Sequence, residues 1–176
     1  MITEQFGIAK TVEIIERTPE VLYALLQGIS DDWVYNNEGE NTWSVFDVVG
    51  HLIVCEKTDF ITRTEIILSD SENKTIAPID MSAQFEWNKG KTIADLLIEF
   101  KTLRKENIQK LLVMKLTESD LQKTGIHPKI GKLTLSELLA TWVAHDLNHI
   151  SQITRVMAKQ YKHEVGPFIE IVSILK

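Results

Sequence analysis

The chain has 176 residues, 44% hydrophobic and 25% charged, with a formal net charge of −6. That length suits one domain with a sizeable core, and with no Lys/Arg stripe a nucleic-acid backbone is excluded as the expected partner. Cys55 is the only cysteine, which excludes an intrachain disulfide and a thiolate zinc cage, and no apolar run approaches the roughly 20 residues of a membrane span.

Caps and apolar spacing divide the chain into helices. Residues 1–6 lack a basic region followed by an apolar stretch, so no secretory leader is expected and a cytoplasmic location is. Ile8, Val12 and Ile15 outline a short helical stretch. Thr18-Pro19-Glu20 then sets a capping hydroxyl before a proline and an acid, followed by the apolar face Val21, Leu22, Leu25, Leu26 and Ile29. Residues 31–41 read as a loop carrying Trp33 and Tyr35. Ser44-Val45-Phe46-Asp47 opens a second main helix, predicted to run to about Ile67.

Residues 70–87, with Pro78, Phe85 and Trp87, form a long connection, and Asn88-Lys89-Gly90-Lys91 leads out of it. Thr92-Ile93-Ala94-Asp95 opens a third helix with Ile93, Leu96, Leu97, Phe100, Leu103, Ile108 and Leu111 at helical spacing. Residues 125–131 are expected to be a turn segment. Thr134-Leu135-Ser136-Glu137 is a capping box that opens a fourth helix reaching about residue 160. Gly166-Pro167 breaks the chain before a short apolar tail. Strand-type alternation, repeats and low-complexity tracts are not evident. The pattern predicts an all-α four-helix bundle with one long crossover, a single domain over 1–176 with its core at about 18–160 and a tail at 166–176.

The fourth helix carries the chemical signal. Leu135, Leu138, Trp142, His145, His149, Gln152 and Val156 follow one another in steps of three and four, which marks a stripe facing other helices. Apolar residues fill both ends, yet the middle holds two imidazoles and an amide. Polar groups there cost free energy unless something binds them, and a metal ion can. His145 and His149 lie one turn apart and can reach one ion. A third ligand is needed from another helix, and His51 sits on the stripe Ser44, Val48, His51, Cys55. The competing reading is a set of hydrogen-bonded core histidines.

Other candidates read more plainly. His127 belongs to the Gly/Pro turn, and His163 suits the negative end of the fourth helix. Cys55 reads as a small core hydrophobe that could touch the site. Asp47 reads as a capping residue, Asp59 as a solvated residue by default, Glu56 as either solvated or pocket-lining. Gln152 is placed to orient a ligand imidazole. Trp43, Trp87 and Trp142 are expected in the core or a pocket wall.

Two segments carry a family resemblance. They are Thr42-Trp43-Ser44 leading into Gly50-His51-Leu52, and the run from Thr141-Trp142 through His145 and His149 to Gln152-Ile153. With the long middle connection between them, the chain resembles the DinB/YfiT-like superfamily of four-helix-bundle metalloproteins from about residue 18 to 167. The resemblance implies a divalent metal, commonly nickel or zinc, held by three histidines matching His51, His145 and His149, with positions left open to water or ligand. It also implies activities that include transfer with small thiols such as mycothiol, bacillithiol or glutathione.

The resulting expectation is a metal-dependent enzyme acting on a small molecule, as a small-thiol transferase or a hydrolase. The alternatives are a non-catalytic metal-dependent binding or stress-response module, and an ion that only stabilises the fold. A homodimer is expected by analogy, with neither nucleic acid nor membrane as partner.

Overall fold

A computed structural model describes residues 7–176; residues 1–6, on which the reading of no leader rests, lie outside them. The helices are α1 (Ile8–Ile15), α2 (Thr18–Leu26), α3 (Asp31–Tyr35), α4 (Val45–Thr58), α5 (Phe60–Leu68), α6 (Ala83–Trp87), α7 (Ile93–Val113), α8 (Glu118–Leu121) and α9 (Leu135–Lys159). A hairpin of β1 (Thr124–His127) and β2 (Gly131–Thr134) precedes α9, and two 3-10 turns close the chain. The four arms of the bundle are α1 with α2, α4 with α5, α7, and α9. Helix α4 packs against α7 and α9, α2 against α7, and α1 and α5 against α9.

The caps behave largely as their chemistry dictates. Ser44, Thr92 and Thr134 each accept from the backbone N–H three residues on, and Asp47, Asp95 and Glu137 answer the capping residue's own N–H. Thr117 and Asp120 form a further such box at α8. Thr18 departs from expectation: it lies inside α2, and its hydroxyl donates to the Ile14 carbonyl of the preceding helix at 3.5 Å. The helix opened by Ser44 does not run unbroken to Ile67. Its backbone leaves helical geometry at Asp59 (φ −107°, ψ −101°), and α5 starts at Phe60.

The hairpin corrects the reading of residues 125–131 as a turn alone. Strands of four residues are the shortest in which alternation can be read, and the buried position of β1 is a glycine. A Cβ on Gly125 would lie 2.9 Å from Ile67 Cγ1 and 3.0 Å from Ile76 Cδ1, so the apolar signal of a strand is excluded by its packing. The hairpin also fixes the long connection, because Ile76 N–H donates to the Ile126 carbonyl at 2.8 Å and Ile126 N–H to that of Lys74 at 3.0 Å. Farther along the connection, α6 crosses α4 closely at Gly50. A Cβ there would lie 2.3 Å from Asn88 Nδ2.

The core is split in two by a polar layer. One apolar cluster gathers Phe60, Ile108, Leu111, Leu139 and Trp142; the other gathers Val48, Leu52, Leu97, Phe100, Ile153 and Val156. Between them on α7 lie Arg104 and Asn107, and on α9 His145, Asp146 and His149. Helix α4 adds His51 and Glu56 near the changeover. Apart from His145, which is half-buried, these side chains are buried. No helix among the described residues is long and apolar enough to cross a membrane.

Candidate metal centre

Helices α4 and α9 bring the three expected histidines together. One ring nitrogen from each of His51, His145 and His149 lies within 4.8 Å of the other two. His145 Nε2 is 3.1 Å from His149 Nε2, and the ring centroids of His51 stand 4.9 Å from His149 and 5.5 Å from His145. His51 and His149 are buried and His145 is half-buried. The buried centre of α9 runs Leu139, Trp142, Asp146, His149, Ile153 and Val156. His145 and Gln152, which the sequence puts on the buried stripe, therefore occupy its flank, each one residue from a buried position, Asp146 and Ile153.

Packing and one hydrogen bond orient the rings. His149 Nδ1 donates to Gln152 Oε1 at 2.8 Å, which leaves the Nε2 lone pair facing the cluster. His51 lies against Trp43 at a centroid distance of 4.9 Å, and His145 meets Phe60 edge-on at 5.4 Å. Their Nδ1 atoms are buried without a hydrogen-bond partner among the described residues. Trp43 sits just after Glu38, whose carboxylate takes hydrogen bonds from Arg155 Nε (3.0 Å) and Nη2 (2.6 Å) and pairs with Lys159. This tie between the α3–α4 loop and α9 lowers the Glu38 pKa to about 2, chiefly through Arg155 and against the effect of burial.

Burial keeps the imidazoles neutral. It lowers His51 to about 4 and His145 to about 3, with neighbouring imidazoles adding to both. His149 is also lowered by burial, against the opposing hydrogen bond to Gln152. Neutral rings present the lone pairs that a cation requires. Ring nitrogens from three imidazoles, all within 4.8 Å of one another, fit a group that supplies positive charge between them.

Acid should therefore destabilise the metal-free protein. Unfolded histidines take protons near pH 6.5 while His51 and His145 stay neutral until about 4 and 3, so the folded form binds fewer protons and loses stability as pH falls. Asp59 and Glu56 act oppositely, because burial raises both their pKa values, that of Asp59 to about 6. The net expected decline between pH 6 and 4 is on the order of 1 kcal/mol per pH unit. Urea denaturation at stepped pH values measures it; a flat or rising profile contradicts it.

The remaining candidates separate clearly. Cys55 is buried, with Sγ 3.4 Å from His51 Nε2 and 3.8 Å from His145 Nε2; burial, then Asp59 and Glu56, push its thiol pKa up. Asp47 caps α4 as expected. Asp59 is not solvated: it is buried at the α4–α5 break and pairs with Arg63 at 2.7 Å. Trp142 is in the core and stacks on Phe60 at 5.0 Å, whereas Trp87 is exposed beneath Lys57. His127 accepts from the Lys129 N–H in the hairpin, and His163 lies beyond α9. Neither joins the cluster.

The polar layer also holds a network that sequence reasoning missed. Arg104 Nε donates to Glu56 Oε1 at 2.9 Å, Nη1 to the Ile15 carbonyl at 2.7 Å, and Nη2 to Asp146 Oδ1 at 3.0 Å. Asn107 Nδ2 donates to the Glu56 carbonyl and to Glu56 Oε2. The signal was present in Leu97, Phe100, Arg104, Asn107 and Leu111, which step by three and four as the histidine stripes do.

The family model for the DinB superfamily matches residues 14–153. Among solved structures the chain is similar to YfiT from Bacillus subtilis, a probable metal-dependent hydrolase with an unusual four-helix bundle topology. The two share 21% identity and a TM-score of 0.69 over 93% of this chain and 90% of that one, a likeness of fold. Comparison with curated proteins gives no match.

Proposed function

Because the chain belongs to the DinB superfamily, we propose that it is a metal-dependent hydrolase whose His51, His145 and His149 hold one divalent ion, nickel or zinc, beside a place for a small-molecule substrate. The convergence of three ring nitrogens within 4.8 Å carries this reading. The similarity in fold to YfiT supports hydrolysis as the reaction class. In such a site the ion would supply a Lewis acid that lowers the pKa of a bound water or small thiol.

The protein's own contribution is placement and exclusion. Helix α9 offers two imidazoles one turn apart, and α4 offers the third from across the bundle. Gln152 fixes the His149 tautomer, so Nε2 is the atom presented inward. Trp43 and Phe60 wall the His51 and His145 rings and limit water around them. Neutral donors leave the ion its full charge.

The test is a screen of apoprotein reconstituted with zinc or nickel against esters and amides, and against electrophiles with and without small thiols. Thiol-independent cleavage that disappears on chelation is expected. Turnover that requires a thiol replaces hydrolysis with group transfer. Metal binding without any turnover overturns the enzymatic reading in favour of a binding module.

A further inference from the structure

We infer that Arg104 is a positioning residue for the metal centre: from α7 it brackets α4 and α9 beside the histidines and so holds His51 against the His145–His149 pair. This rests on the three-histidine reading above. The donors come from two helices, so the set closes only while α4 and α9 keep one separation. Hydrogen bonds from the rings supply little of that constraint. Gln152 fixes His149, but the Nδ1 atoms of His51 and His145 have no partner among the described residues.

One guanidinium reaches both helices. Arg104 Nη2 lies 2.7 Å from Glu56 Oε1 and donates to Asp146 Oδ1 at 3.0 Å, while Nε donates to Glu56 Oε1 at 2.9 Å. Glu56 stands on α4 after His51, and Asp146 lies between His145 and His149 on α9. From the next turn of α7, Asn107 Nδ2 donates to Glu56 Oε2 at 2.9 Å and to the Glu56 carbonyl at 2.7 Å. That carbonyl belongs to the last turn of α4, where helical partners run out, so Asn107 also pins the end of the helix that carries His51.

Stability alone does not call for this chemistry. Well-packed apolar residues in place of a buried ion pair are often as stabilising or more so, and this layer interrupts the core between two apolar clusters. What the guanidinium adds is direction, because its rigid planar fork sets two carboxylates at one separation. The network is also close enough to act on the rings. After burial, which dominates both shifts, Asp146 opposes the lowering of the His149 pKa and Arg104 adds to the lowering of that of His145. A bracket that favours the metal-binding spacing is favoured by the metal in return.

Zinc affinity and the cobalt(II) spectrum of Arg104→Lys test the bracket. Lysine keeps a cation between Glu56 and Asp146, but as a point charge without the fork. The variant is expected to bind zinc at least about 10-fold more weakly, as when a ligand loses its supporting partner, and to shift the visible d–d bands of bound cobalt. Leu121→Ala, on α8 beyond the end of α7, opens the core without touching the bracket and should keep wild-type affinity and bands. Wild-type affinity or unchanged bands in Arg104→Lys overturn the inference and leave the histidines standing. An equal loss in Leu121→Ala overturns it too, because general loosening would then account for the effect. If neither zinc nor cobalt binds the wild-type protein, the three-histidine reading fails and the bracket with it. Circular dichroism controls for folding; should Arg104→Lys not fold, Asn107→Ala, which unties Glu56 alone, decides by the same two readouts.

Discussion

Replacing His145 with Ala should abolish retention of a divalent ion while the helical bundle persists. His145 is one of three donors, its Nε2 3.1 Å from that of His149. Removing it leaves one imidazole on each of two helices. Changes that merely disturb a ligand's supporting partner weaken metal binding about 10–100-fold, so deleting the ligand should exceed about 100-fold. The fold should tolerate the change because α9 is anchored on both sides of the site, by Leu135, Leu139 and Trp142 at one end and by Ile153 and Val156 at the other. The deletion also removes a buried, unpartnered Nδ1. Competition against a chromophoric chelator measures the affinity, and thermal denaturation of the apoprotein measures the fold. An affinity within about 10-fold of wild type would place the ion elsewhere.

Arg104→Met should have the opposite profile, a severe loss of stability. Arg104 is 1% exposed, and its guanidinium lies between the buried carboxylates of Glu56 and Asp146. Burial works against its charge, yet the two carboxylates hold its pKa above the ordinary value. Methionine fills much of the volume but leaves Glu56 and Asp146 facing each other without a cation. Breaking a buried pair in this way costs about 3–5 kcal/mol. The Ile15 carbonyl loses its donor as well, so α1 should loosen from the bundle. The deficit should shrink in acid, where the orphaned carboxylates can take protons. Neutralising them by Glu56→Gln and Asp146→Asn in the same protein should recover a large part of it. Urea denaturation of the single and triple variants decides; a single variant within about 1 kcal/mol of wild type would refute the network's role.

Much of this architecture can be read from the chain because helices advertise themselves locally. Ser44, Thr92 and Thr134 show their caps within four residues, and the His51, His145 and His149 stripes show their spacing within a turn or two. What escapes depends on tertiary packing. Gly125 hides β1 because its buried position has no side chain to read. Asp59 looks solvated until Arg63 and the break between α4 and α5 bury it. Arg104 and Asn107 lie on a legible stripe, yet their polarity masks them until Glu56 and Asp146 arrive from two other helices. Cys55 is a small core residue in sequence and a neighbour of two imidazoles only once α9 crosses α4.

We propose that His51, His145 and His149 hold one divalent ion, and anomalous diffraction at the metal edge decides it, from crystals of the wild-type protein reconstituted with nickel or zinc. A single strong peak bonded to all three imidazoles at about 2.0–2.1 Å is expected. Diffraction with no peak among these rings, or with the ion bound elsewhere, would contradict it.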